Sequence, residues 1–155
     1  MTKNVTVTGG VATSGTIETY EEDQTTTMTA IAMPDFPATS DQSINHFFWI
    51  KNTGNVQVKV YWYISSGNPS WSLDTGTQTY ISQENSQTKF RLAISNQQNP
   101  DGSQGTGYWN PDPSGNQVVT LDTGQSAKFA LTMTHFAAVN TPGQFNFVLS
   151  FDAKS

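Results

Sequence analysis

Apolar and polar residues alternate with period two in segment after segment of this chain, and no other feature constrains its fold as strongly. Successive side chains of a β-strand point to opposite faces, so such a segment buries one face and wets the other. A helix would instead need apolar residues three and four positions apart. No window keeps that helical spacing for long, and the chain reads as all-β. In Ala127 to Met133, Ala127, Phe129, Leu131 and Met133 share one face while Lys128, Ala130 and Thr132 share the other. After a Thr141-Pro142-Gly143 turn, Phe145, Phe147, Leu149 and Phe151 alternate with Asn146, Val148 and Ser150. These two strands are expected to form the heart of the core.

Upstream, Phe90, Leu92 and Ile94 alternate with Lys89, Arg91 and Ala93, and Val56, Val58, Val60, Trp62 and Ile64 alternate with Gln57, Lys59, Tyr61 and Tyr63. Ile44 to Lys51 has apolar residues on both faces, which predicts a strand covered on both sides. Asn52-Thr53-Gly54-Asn55 reads as a hairpin turn, since Asn and Gly tolerate the positive φ of tight turns. Weaker strands are expected at Val5 to Thr8, Thr16 to Tyr20 and Thr26 to Met33. Short strands at regular spacing joined by Gly, Pro, Asn and Asp turns predict a β-sandwich.

Two polar stretches, Ser65 to Gln87 and Asn96 to Gln117, read as long loops, the second with an echo of Asn99-Pro100-Asp101-Gly102-Ser103 in Asn110-Pro111-Asp112-Pro113-Ser114. Unstructured loops beyond about 12 to 15 residues are uncommon and often functional. Their aromatics, Trp71 and Tyr80 in the first and Tyr108 and Trp109 in the second, read as exposed and are the first candidates for an interface or a glycan contact.

With 155 residues the chain has room for a single core, expected over residues 11–155. Residues 1–10 read as an N-terminal arm or as the first edge strand. Val5 and Val7 alternate with Thr6 and Thr8, and Gly9-Gly10 reads as a flexible pair that lets the segment leave its own domain and add to a neighbour's sheet. The other reading pairs it with its own sheet.

Seven basic residues, scattered singly, stand against twelve acidic ones, for a net charge of −5. Nucleic acid is therefore not an expected partner, because phosphate neutralisation needs clustered Lys and Arg. Only 31 residues are Leu, Ile, Val or Phe, so the Trp, Tyr and Met residues must extend the core. Thr, Ser, Asn and Gln supply 61 residues, and a neutral polar surface suits contact with further copies because it avoids desolvating charges. The absence of cysteine excludes disulfides, Cys-ligated zinc and thiol nucleophiles. No apolar run reaches about 18 residues, so membrane insertion is not expected. Met1-Thr2-Lys3-Asn4 leads into a Thr and Val alternation instead of a signal-peptide core, which suggests a chain made without a leader or with the leader removed.

No catalytic residue, cofactor or metal is expected. The two histidines, His46 and His135, sit in no nucleophile-triad or metal-ligand motif and read as packed or surface residues. Of the carboxylates a glycosidase would need, Glu18 and Glu84 stand apart and Glu21-Glu22-Asp23 reads as a solvated turn. Asp101 and Asp112 read as turn formers that bond their own backbone, without the spacing of a calcium loop. Trp71, Tyr108 and Trp109, with Tyr61 and Tyr63, present the ring faces on which sugars stack. Asn4-Val5-Thr6 is a glycosylation pattern if the chain is exported.

Three segments resemble, in order, a recurrent immunoglobulin-like domain of archaeal cell-surface and archaeal virus structural proteins. They are Gly15-Thr16-Ile17-Glu18-Thr19-Tyr20 with its Thr-rich continuation, Phe48-Trp49-Ile50-Lys51-Asn52-Thr53-Gly54-Asn55-Val56, and Leu121-Asp122-Thr123-Gly124-Gln125 leading to Pro142-Gly143-Gln144-Phe145. The resemblance spans most of the chain and implies an immunoglobulin-like or jelly-roll-type sandwich. It also implies a non-enzymatic subunit of a virion or surface filament that assembles with itself or with other virion or surface proteins. Surface members usually follow a leader or precede an anchor, and the lack of either pattern here favours a virion component while leaving a processed filament subunit open. The competing expectation is a carbohydrate-binding or adhesion module.

Overall fold

A computed structural model describes residues 4–14, 16–33, 35–37, 40–68, 70–111, 119–139 and 143–154. In chain order the strands are β1 (Asn4–Ser14), β2 (Ile17–Glu21), β3 (Ala30–Ala32), β4 (Phe36–Pro37), β5 (Gln42–Asn52), β6 (Val58–Asn68) and β7 (Trp71–Asp74). They continue with β8 (Thr79–Glu84), β9 (Gln87–Gln98), β10 (Gln104–Tyr108), β11 (Val119–Leu121), β12 (Ser126–His135) and β13 (Gly143–Lys154). They make a two-sheet sandwich, as the alternation predicts. One sheet is six-stranded in the order β11-β6-β13-β1-β3, with β4 also on β1, and the other is seven-stranded in the order β2-β5-β12-β9-β8-β7, with β10 also on β9.

The strongest alternating segments lie as expected. Ala127, Phe129, Leu131 and Met133 are buried on β12, and Phe145, Phe147, Leu149 and Phe151 are buried on β13. Although consecutive in the chain, these strands belong to opposite sheets, and Phe48 and Trp109 bridge their rings across the core. Phe48 lies 5.7 Å from both Phe129 and Phe151, and Trp109 lies 4.7 Å from Phe129 and stacks 6.0 Å from Phe151. On β5, Phe48 and Ile50 fill the core, while Trp49 on the other face is also buried and Phe47 is half-buried.

The two polar stretches are corrected: much of each is strand. Residues 65–68 extend β6, β7 and β8 form a hairpin, and β8 turns into β9 through Asn85-Ser86, both with positive φ. A two-residue turn with two positive φ values matches the right-handed twist of its strands, which is why Asn serves there. Gln83 and Gln87 beside this turn are exposed, whereas Thr79 and Ser82 of β8 are buried. Residues 112–118, with most of the second Asn-Pro echo, lie outside the described residues, as do Thr141 and Pro142 of the expected turn.

Lys89 also departs from the alternation: its side chain is 1% exposed, next to the fully buried Phe90. β9 carries one extra residue there, since Phe90 pairs with Ser82 and Thr88 with Gln83. A bulge of this kind breaks the two-residue period. The Lys89 Nζ donates to Glu84 Oε2 at 3.1 Å and sits 4.3 Å over the Phe145 ring.

Asn52-Thr53-Gly54-Asn55 is not a hairpin, because β5 and β6 lie in different sheets and the turn is an arch between them. Two further connections meet it, at Thr16 before β2 and at residues 122–125 between β11 and β12. Asn52 is fully buried where they converge. Its Nδ2 donates to Val56 O at 2.8 Å and Leu121 O at 3.0 Å, and its Oδ1 accepts from Gly54 N at 2.9 Å. Its backbone N–H donates to Gln125 O and its carbonyl accepts from Gly124 N, while Thr53 donates through N and Oγ1 to Thr16 O. A Cβ at Gly54 would come 2.6 Å from Thr16, so only glycine lets the arches close this tightly. All three arches come from the three segments that carry the sequence resemblance.

Removing the amide would strand the buried Leu121 carbonyl at about 1–3 kcal/mol and leave the partly buried Val56 carbonyl and Gly54 N–H without their partner. Asn52→Ala is expected to lower stability by about 3 kcal/mol in urea unfolding. Asn52→Asp should lower it by at least as much at neutral pH, since a carboxylate has no N–H for the two carbonyls. A loss below about 1 kcal/mol in both variants would show that the corner does not depend on Asn52.

At the other end of the core, His135 is fully buried, 5.2 Å from Phe90 and 5.9 Å from Phe36. Burial, reinforced by the positive charge of Lys89, pushes its pKa below 6.5. The folded state therefore favours the neutral ring. That contribution is fully present above about pH 6.5 and is lost as pH falls through the unfolded value toward the folded one. Lowered aspartate pKa values, such as that of Asp23 at about 2, act only in a more acid range. The melting temperature should fall between pH 7 and pH 5, and His135→Phe should flatten that slope; equal slopes in both proteins would contradict this role.

Candidate functional site

The N-terminal segment, the first candidate for an assembly contact, lies in its own sheet. β1 runs unbroken from Asn4 to Ser14, so Gly9 and Gly10 fall mid-strand, and no linker separates residues 1–10 from the strand's continuation. It pairs in parallel with β13 from Val5 opposite Gly143 to Ser14 opposite Asp152, so Val7 lies opposite Phe145. On its other side, among the described residues, β1 pairs with β3 at Thr8 to Gly10 and with β4 at Asn4 and Val5, and Val11 N donates to Thr29 O at 3.2 Å. The reading of Gly9 as a flexible joint is corrected: Gly9 is buried, and a Cβ there would come 2.6 Å from the Phe147 ring and 3.2 Å from Ile31. Glycine is required here for close packing, which period-two patterning does not reveal.

The four candidate aromatics do not form a platform. Trp109 is 3% exposed and Tyr80 is 7% exposed, so the expectation of exposure is corrected for both. Trp109 follows β10 directly, and its N–H donates to Ile94 O, which turns its ring into the core beside Trp62. Trp62 in turn donates from Nε1 to Trp109 O at 2.7 Å. Tyr80 packs 5.6 Å from Trp62. Trp71 is half-buried, 5.8 Å from Phe147, and donates from Nε1 to Asn146 O. Tyr108 alone of the four is open, at 74% exposure. Tyr61 and Tyr63 lie half-buried on the other sheet, with the Lys154 Nζ 4.5 Å over the Tyr61 ring.

His46 pairs with Glu21, Nε2 to Oε2 at 3.0 Å, and His135 belongs to the core. Asp23 receives the N–H groups of Thr25 and Thr26 and the Thr26 hydroxyl, and these bonds hold its carboxyl at a pKa of about 2. Asp101 is lowered by the hydroxyl and N–H of Ser103, with Oδ1 accepting both. Both act as local turn formers, and Asp112 lies outside the described residues. Among the described residues no three His, Cys, Asp or Glu side chains group as a metal site, and no helix is long and apolar enough to cross a membrane.

The geometry adds a feature that residue patterns did not show. On the outer face of the seven-stranded sheet, Thr77, Thr79, Arg91, Tyr108, Thr132 and Thr134 line a concavity of about 390 Å³ with Ala93. Its residues come from β8, β9, β10, β12 and the β7–β8 turn, so no single segment displays it. No family model matches this chain, and no curated protein matches it.

Proposed function

We propose that the chain is a non-enzymatic structural subunit of an extracellular assembly, a virion (capsid) component or a surface filament protein, related to the immunoglobulin-like domains that its arches resemble. The observation that carries this reading is how β1 is held. From Val5 to Ser14 it is paired with one neighbour, β13, and among the described residues its other edge meets strands of three and two residues and a single bond from Val11 N to Thr29 O. The β1 of another copy can make the same backbone bonds in the same slot, so exchange between subunits needs no new chemistry. The neutral polar surface supports the reading, because Thr, Ser, Asn and Gln can be desolvated against a second copy at lower cost than charges. The competing glycan-binding reading through several loop aromatics has lost most of its residues and now rests on Tyr108.

Deleting residues 1–10 is a poor test of exchange, since it would uncover Phe147 and Ile31. A cysteine pair is cleaner in a chain with no cysteine of its own. Thr8 and Asn146 are exposed and directly opposite in the β1–β13 register, within reach of a disulfide. After assembly and oxidation, Thr8→Cys/Asn146→Cys should give a ladder of covalent multimers on non-reducing gels if β1 is exchanged. Monomers with an internal disulfide would rule out exchange and leave only surface contacts for assembly.

A further inference from the structure

The concavity on the outer face of the seven-stranded sheet is built differently from the rest of the surface. Its floor is β9 and β12, where Thr134 lies opposite Arg91 and Thr132 opposite Ala93. Thr77 of the β7–β8 turn, Thr79 at the start of β8 and Tyr108 at the end of β10 complete the lining. A flat strand face would suit another protein surface, whereas a pit of about 390 Å³ falls in the range of small-ligand sites.

The polar groups are oriented by bonds already made. Thr132 Oγ1 donates its proton to Asn45 Oδ1 at 2.8 Å, and Thr77 Oγ1 donates to Asp74 Oδ2 at 2.8 Å. Thr79, 2.7 Å from Thr77, must then donate to it. These hydroxyls have spent their protons, so Thr132 and Thr79 meet a ligand with oxygen lone pairs and methyl groups. Donors come from the terminal guanidinium nitrogens of Arg91, whose side chain is one-third exposed and whose Nη2 lies 3.5 Å from Asp74 Oδ2. Asp74 is held ionised by the Thr77 hydroxyl first and by the Gly76 N–H, so the Arg91 charge is balanced locally. Tyr108 adds an open aromatic face.

Acceptors, a guanidinium donor, methyl groups and one ring face, with no net charge, match a polyhydroxylated ring with polar edges and an apolar face. We propose that this concavity binds a neutral saccharide, stacked on Tyr108 and hydrogen-bonded by Arg91 and the threonines. An anionic sugar fits less well, because Asp74 cancels Arg91 and the chain carries a net charge of −5. The site is independent of strand exchange and would serve a single subunit or an assembled one.

The test is an amide NMR titration of the full chain with neutral hexose and N-acetylhexosamine di- and trisaccharides, with uronic-acid disaccharides as the comparison. Shifts confined to Arg91, Tyr108, Thr132 and their neighbours with a neutral sugar are expected. Tyr108→Ala should weaken that binding about tenfold without changing the melting temperature, since the ring is mostly in water. Arg91→Gln should weaken it as well. No shifts with any neutral sugar at millimolar concentration, or stronger binding of the uronic acids, would overturn the proposal. It would also be overturned if the same amides shifted with protein concentration alone, which would make the face a contact between copies.

Discussion

The side-chain amide of Asn52 joins the two sheets at one end of the sandwich. Three chain crossings meet there, and each leaves backbone groups that neither sheet can pair. One buried amide donates to Val56 O and Leu121 O and accepts from Gly54 N, while its own backbone pairs with residues 124 and 125. An unpaired buried carbonyl is costly, so this end closes only when all three arches are in place. With that end fixed, Phe48, Phe129, Phe151 and Trp109 stack between the sheets in one arrangement.

From this corner β1 runs along β13 in parallel, which joins the two ends of the described chain in one ladder. Parallel pairing needs a long connection between the partners, and here that connection is almost the whole domain. β1 is therefore at once integral to the core, through Gly9 against Phe147, and attached on its outer side, among the described residues, by short strands and one bond to Thr29. A strand with both properties leaves a well-defined slot when it moves, and this makes exchange between subunits a specific hypothesis.

Period-two patterning made the inward faces of β9, β12 and β13 legible, because a half-buried strand imposes that period directly on its residues. It failed at Lys89, where a bulge adds a residue, and no local signal in the sequence marks a bulge. Asn52-Thr53-Gly54-Asn55 announced a reversal of the chain, yet the same residue types suit a hairpin within a sheet and an arch between sheets. Tyr108 and Trp109 looked equivalent as loop aromatics. Adjacent residues next to a strand point to opposite sides, so one of the pair had to turn inward, a signal that was present and not used. The concavity around Arg91 was illegible, since its residues come from separate strands and meet only through the register.

The surface that results is rich in uncharged polar groups, with β1 at one sheet held mainly along β13 and a concavity on the opposite sheet. The central claim is that copies of this chain build a larger structure. Light scattering of the purified native protein across a concentration series, followed by negative-stain imaging of large species, tests it most directly. Rings, shells or filaments of regular symmetry are expected, and a strict monomer at every concentration would contradict the claim.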